Sequence, residues 1–219
     1  MSDEYQVLPK DLMGAYYDAC QRFREEEFGA DVPIPLEQTR LYEKENVNFY
    51  RVYGLFTEDT TIVKALAQLF LISEKEYELM RKGDRDEREL RPWSREDGAA
   101  VLWVATVVSS IPGGAAKVIT GLVDDLETHP YTKDIKTVAA FVTGPKGYLF
   151  AEACGMKQRP EKYHDDLPFF EMPFEVSALA RAGDILSRAW NIDAAREKLQ
   201  KFKEERGGIV TLRDGSFKS

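Results

Sequence analysis

The chain is short of the residues that most readily announce a function. Of its 219 residues, two are cysteine and two are histidine. Cys20 and Cys154 stand far apart, so there is no zinc-ligand spacing and a disulfide framework is argued against. No metal is expected, and a reducing, cytoplasmic compartment is the expectation. Basic excess is also lacking: 30 Lys and Arg face 38 Asp and Glu, for a net charge of -8. That balance argues against general nucleic-acid binding. The apolar runs are too short and too interrupted to span a bilayer. The acidic opening MSDEYQVLPKD has no apolar stretch, which speaks against a signal peptide. Neither an internal repeat nor a low-complexity tract is visible. What the chain does have is enough apolar residues, 43%, for one good core.

Several elements can be read from pattern. Leu12, Met13, Tyr16, Cys20 and Phe23 recur at helical spacing between Pro9 and Gly29, which predicts a helix that Gly29 ends. Cys20 lies on that stripe and reads as a buried structural thiol. Leu36 to Lys44 reads as a short second helix, and Val47 to Phe56 as a strand rich in aromatic and β-branched residues. Ile62 to Ile72 fits a strand or a buried helix equally well. Ser73 with Glu76 is a capping-box pattern and predicts a helix start. Gly83 to Asp97 is mostly charged and reads as a solvated loop, with arginines that could instead meet an acidic partner.

The most informative block is Ala99 to Phe174. AAVLWVATVVSS is a continuous apolar run, as a central strand covered on both faces would be. Ile111-Pro112-Gly113-Gly114 breaks it. Ala115, Val118, Ile119, Leu122, Val123 and Leu126 then share one helical face. KTVAAFVTG is a second buried strand, and Pro145 suits the first turn of a helix that ends at Gly155. A hairpin follows, turning at about His164 to Leu167. Beyond Phe174 the pattern is helical only, through EVSALARAGDILSRAW and then the charged stretch Ile192 to Arg206.

The glycines at the helix start are the candidate site. A helix N-terminus carries unpaired N–H groups and partial positive charge, and glycine lets a phosphate come close to them. Strand–PGGAA–helix is therefore a plausible pyrophosphate cradle. Gly-Lys-Ser/Thr does not follow, and G-x-G-x-x-G is absent, so neither nucleotide fingerprint applies. A tight structural turn without a ligand explains the same residues.

The order of elements adds to this. VLWVATVVSSIPGGAAKVITGLVDDL followed by VAAFVTGPKGYLFAEACGMKQRPEKYHDDLPFFEM resembles the second half of the GCN5-related N-acetyltransferase (GNAT) fold. The resemblance implies an α+β (α/β/α) architecture, with a mixed central sheet whose two parallel strands splay, followed by C-terminal helices. It implies a GNAT-like domain over 1–174 and a helical appendage and tail over 175–219. By the same resemblance, Ser110, Gly113, Gly114, Ala115 and Ala116 fill the pyrophosphate loop of acetyl-CoA or another acyl-CoA, which is a substrate. Gly155-Met156 takes the place of the family's Gly-Phe pair. The chain departs from the family at Ser109 and Ser110, where an Arg or Gln is usual, and at Ala151, where the family's general-acid Tyr sits. The strand Val101 to Val108 carries no carboxylate to act as base. Tyr148 is then the candidate acid and His164 the candidate base, while His129 precedes Pro130 in a loop and Cys154 reads as structural.

Two functions follow from these residues. One is an acyl-CoA-dependent acyltransferase, of the N-acetyl type, that transfers directly to an acceptor. The other is a catalytically inactive acetyltransferase-like scaffold, similar to acetyltransferase-like proteins of phages, serving in protein assembly or interaction. In either case the C-terminal helices are expected to serve a protein partner or self-association.

Overall fold

Ile62 to Ile72, ambiguous by pattern, is a strand. A computed structural model describes residues 4–29, 34–142, 145–163 and 167–188. In it, β3 (Thr61–Ser73) pairs antiparallel with β2 (Asn48–Phe56) on one side and with β4 (Ala100–Ser109) on the other. A strand with neighbours on both edges and helices on both faces has no solvent side. Ala65 to Ser73 are accordingly all buried, and the apolar run shows no alternation.

The remaining strands are β1 (Gln6–Val7), β5 (Ile135–Phe141), β6 (Lys157–Tyr163) and β7 (Leu167–Pro173). One sheet contains all seven, in the order β1-β2-β3-β4-β5-β7-β6. β4 and β5 are adjacent and parallel, as their apolar composition predicts, and the other neighbouring pairs are antiparallel. The crossover between β4 and β5 contains α4 (Gly114–Thr128), the helix expected after the glycines.

Cross-strand register sorts the helices onto two faces. Gln68 and Phe70 of β3 share a face. Gln68 accepts from Arg24 of α1 (Tyr17–Phe28), and Phe70 stacks on Tyr42 of α2 (Leu36–Lys44), with ring centroids 3.9 Å apart. Trp103 pairs in register with Phe70 and meets Tyr77 of α3 (Glu74–Arg81). The opposite face carries α4, tied to β2 by an Arg51–Asp125 ion pair at 2.6 Å. It also carries α5 (Pro145–Cys154), whose Tyr148 ring meets Phe170, and α6 (Val176–Arg188). α6 packs on α4 and α5 and buries Ala178, Leu179 and Ala182, so the first C-terminal helix docks through its apolar face. The second helix expected over Ile192 to Arg206 lies outside the described residues.

Two expectations need correction. The stretch from Pro9 to Gly29 is not one helix: Lys10–Tyr16 is a 3-10 helix, and the α-helix begins at Tyr17. Gly14 weakens α-helix propagation there, and Tyr16 packs edge-on against Phe56 at 4.9 Å. Nor is 83–97 simply a solvated loop. It buries Glu87, Leu90 and Trp93. Trp93 N donates to Leu71 O at 2.9 Å, and Tyr42 Oη donates to Leu90 O at 2.9 Å. Three of its four arginines have side-chain contacts within the protein: Arg88 with Asp86 at 3.0 Å, Arg85 with Glu76 at 3.6 Å, and Arg95 over the Tyr131 ring.

Candidate active site

The parallel pair β4–β5 opens partway along its length. Its ladder ends at Trp103 opposite Ala139, while β4 continues for six residues to Ser109 and β5 for two to Phe141. Two residues past the last pair, β4 bulges. Val104 pairs with Leu69 and Thr106 with Gln68, which leaves Ala105 as the extra residue. A bulge bends its strand and raises its twist, so it turns β4 away from β5. Among the described residues, the β5-facing edge of β4 beyond Trp103 has no strand partner.

β4 then runs directly into the glycine turn. Ser110 N donates to Lys64 O at 2.9 Å, and its hydroxyl donates to the same carbonyl at 3.2 Å. Ser109 Oγ accepts from Ile111 N at 3.2 Å and donates to Ile111 O at 2.6 Å. Gly113 is the N-cap of α4 and is left-handed, with φ 75°. No heavy atom lies within 4 Å of the point where a Cβ on Gly113 would stand. Gly114 N donates to Ile111 O, and the first bond into the helix runs from Lys117 N to Gly113 O. The N–H groups of Ala115 and Ala116 therefore precede any intrahelical acceptor. The two glycines differ in role: Gly113 supplies the left-handed cap and the open space, whereas Gly114 is buried and packs against Ser109 and Ala65.

Of the residues singled out in the sequence, Ser110, Gly113, Gly114, Ala115 and Ala116 all fall on this turn and the first turn of α4. Ser110 is exposed, but its hydroxyl is engaged with Lys64 O. Tyr148 is on α5, half-buried, with its ring 6.0 Å from Phe170 and perpendicular to it. Ala151 is buried in the same helix. His164 lies outside the described residues. His129 caps α4, lies in edge contact with Phe49 and Tyr131, and has its pKa lowered by burial and by Lys10. The turn has no arginine. Lys117, the cation in the first turn of α4, sits over the Tyr53 ring of β2, on the side away from β5. Anion binding at the turn would therefore rest on backbone N–H groups.

Sequence reasoning missed a buried carboxyl that contacts the last paired residue of β4. Trp103, the last β4 residue paired with β5, donates its indole N–H to Glu87 Oε1 at 2.6 Å. Burial pushes the Glu87 carboxyl up to about 8, and the Trp103 bond and Arg24 pull against that. The signal was present in Trp103 itself: a tryptophan inside a buried strand needs an acceptor for its N–H. Next to this pair on the same sheet face lies a second buried polar group, in which Arg24 Nη1 donates to Gln68 Oε1 at 2.8 Å and Gln68 donates to Asn48 and Thr39.

Among the described residues, no group of three or more His, Cys, Asp or Glu side chains could hold a metal ion. No helix among them is long and apolar enough to cross a membrane.

No protein-family model matches the sequence, and no curated protein matches it in sequence. Solved structures do match the fold. NAA60 of Arabidopsis thaliana in complex with a bisubstrate analogue superposes with a TM-score of 0.50 at 9% identity, covering 78% of this chain and 97% of that one. The NatC complex bound to Gag peptide and CoA gives a TM-score of 0.51 at 10% identity, covering 78% and 99%. At such identities the likeness concerns the fold, and it spans nearly the whole of each relative. With the bulged β4, the parallel pair that opens and the helix that starts at the opening, the chain has the fold of the GCN5-related N-acetyltransferases.

Proposed function

We propose that the chain binds an acyl-CoA and transfers its acyl group directly to an amine acceptor. One observation carries this reading: the β4–β5 ladder stops at Trp103 and Ala139 on the same strand that ends at the open N-terminus of α4. An extended thioester fits such an opening, with its pyrophosphate against Gly113, Ala115 and Ala116. That a solved structure with this fold, the NatC complex, holds CoA supports the assignment. Unpaired β4 peptide N–H groups past Trp103 would polarise the thioester carbonyl, a use of fixed dipoles that is worth most where water is excluded. The amine nitrogen bonds to the carbonyl carbon and gives up a proton to a base, the C–S bond breaks, and the CoA thiolate takes a proton. Tyr148 is the proposed donor of that proton. Residues 1–174 form the acyltransferase unit and 175–219 an addition that serves a partner or self-contact. The two buried free thiols suit a cytoplasmic setting.

The inactive-scaffold reading draws on a specific feature, the absence of any Arg or Gln ahead of Gly113. Thermal unfolding with and without acetyl-CoA separates the two, because a ligand bound only to the native state raises apparent stability. A clear rise in Tm with acetyl-CoA, together with release of CoA thiol that Tyr148→Phe slows, supports the acyltransferase. No rise at millimolar acetyl-CoA supports the scaffold.

A further inference from the structure

A second concave site lies at the other end of β4 and β5. Ala100 pairs with Ile135 where the two strands enter the sheet, at the start of the ladder that stops at Trp103. Beside this pair is an open cavity of about 400 Å³, a size that suits a small metabolite. Arg95, Lys133 and Lys136 line it, together with one carboxylate, Asp134.

These charges come from two segments that the paired strands bring together. Arg95 begins the 3-10 turn Arg95–Asp97 ahead of β4, and Lys133 and Asp134 belong to the 3-10 turn Thr132–Asp134 ahead of β5. Lys136 follows the buried Ile135 in β5, so strand alternation puts it on the opposite side from Ile135. Trp93 Nε1 donates to Gly98 O at 3.0 Å and ties the first segment together. The Arg95 guanidinium lies over the Tyr131 ring, 5.0 Å from its centroid, which holds it beside the second segment.

Folding leaves two needs unmet here. Among the described residues, no carboxylate lies within ion-pair distance of Arg95, Lys133 or Lys136. Three unpaired cations thus share one cavity in a chain of net charge -8. The acids next to Arg95 do not line the cavity, and Asp97 is engaged by Ser94 N and Oγ at 2.8 and 3.1 Å. The second need is at Asp134, whose Oδ2 is buried with no hydrogen-bond partner. A buried acceptor without a donor is costly, so the site lacks a donor as well as an anion.

We propose that this cavity binds a small phosphomonoester that also carries a hydroxyl. A phosphomonoester has three terminal oxygens and close to two negative charges, so each of the three cations can take one oxygen, whereas a lone carboxylate has two oxygens and one charge. Asp134 repels a bare anion, and a hydroxyl on the ligand supplies the donor that its Oδ2 lacks. The site is separate from the turn at Gly113, which follows the opposite end of β4, and it does not depend on the acyltransferase reading.

The test is calorimetric titration at low salt with glycerol 3-phosphate, glucose 6-phosphate and inorganic phosphate. Wild type should bind at least one of the two phosphomonoesters saturably below about 10 mM, and inorganic phosphate about fivefold more weakly or worse. Lys133 and Lys136 are both exposed, so the Lys133→Gln/Lys136→Gln double variant should keep the fold and lose about tenfold or more in affinity. Asp134→Asn removes the repulsion and should bring inorganic phosphate within about twofold of the phosphomonoester. Gly113→Asp should bind as wild type does, because its added charge lies at the far end of β4. No saturable binding of either phosphomonoester would overturn the proposal. So would unchanged affinity in the double lysine variant, selectivity that survives in Asp134→Asn, or binding lost in Gly113→Asp, which would place the anion at the α4 turn.

Discussion

Ser109 Oγ occupies the space into which a side chain on Gly114 would have to grow, and Ala65 Cβ lies only 2.9 Å from that point. The second glycine of the turn is thus required by packing between the end of β4, β3 and the first turn of α4. Gly114→Ala forces the Ser109 hydroxyl out of its bonds to Ile111. Overpacking of this kind costs about 1–3 kcal/mol. Urea unfolding should show the loss as a lower midpoint at constant slope, and an unchanged midpoint would mean that the turn relaxes freely.

Neither thiol should react in the native protein. Cys20 and Cys154 are both buried and free. Burial pushes Cys20 up to about 11 and Cys154 up to about 12, so almost no thiolate exists at pH 8. Native protein treated with iodoacetamide should take up no label, and protein unfolded in guanidinium should take up two. Rapid native labelling of Cys154 would contradict its packing in α5.

The sequence was most legible where one local rule sufficed. Ser73 does cap α3, its Oγ accepting from Glu76 N at 3.2 Å. Gly155 does end α5 in a left-handed conformation, at φ 75°. The pair β4 and β5 was readable because each is buried on both faces and a helix of the right length lies between them. Legibility failed where tertiary contacts decide. Glu87, Leu90 and Trp93 are scattered through a charged segment with no period, and only β3, α2 and Trp103 make them interior. The two glycines look alike in sequence, and only the left-handed φ of Gly113 and the contacts of Gly114 distinguish them. The carboxyl that Trp103 bonds to lies outside β4 altogether.

Removing the Ser73 cap should cost about 1 kcal/mol, since Ser73→Ala leaves the Glu76 N–H without its acceptor. Denaturant unfolding measures this directly. Ser73→Asp should restore most of the loss, because an acidic N-cap accepts the same bond and complements the helix dipole. No recovery with Asp would mean that the serine acts through packing.

Stability should fall as pH rises through the titration of Glu87. Its folded pKa, about 8, lies above the ordinary value of 4.5, so between these pH values the folded state holds a proton that the unfolded state has lost. The neutral carboxyl costs nothing electrostatically below the lower value, and the full penalty applies above the upper one. At about 1.4 kcal/mol per pH unit, the penalty is on the order of 3 to 5 kcal/mol. Glu87→Gln should therefore be more stable than wild type at pH 9, and the difference should shrink toward pH 5. Parallel stability curves for the two proteins would show that Glu87 is not buried as described.

The central claim is that the open turn at Gly113 binds the phosphates of an acyl-CoA, and a matched pair of substitutions tests it most directly. Gly113 is left-handed, caps α4 and faces open space. Asparagine and aspartate both tolerate a left-handed backbone and both serve as N-caps, so each should leave the fold intact. They differ by one negative charge placed where the pyrophosphate would lie. Calorimetric titration of acetyl-CoA should show one site on wild type, a modest loss in Gly113→Asn, and a further loss of about tenfold or more in Gly113→Asp, a difference of about 1.4 kcal/mol. Equal affinity in the Asn and Asp proteins, or no binding by wild type at millimolar acetyl-CoA, would contradict the claim.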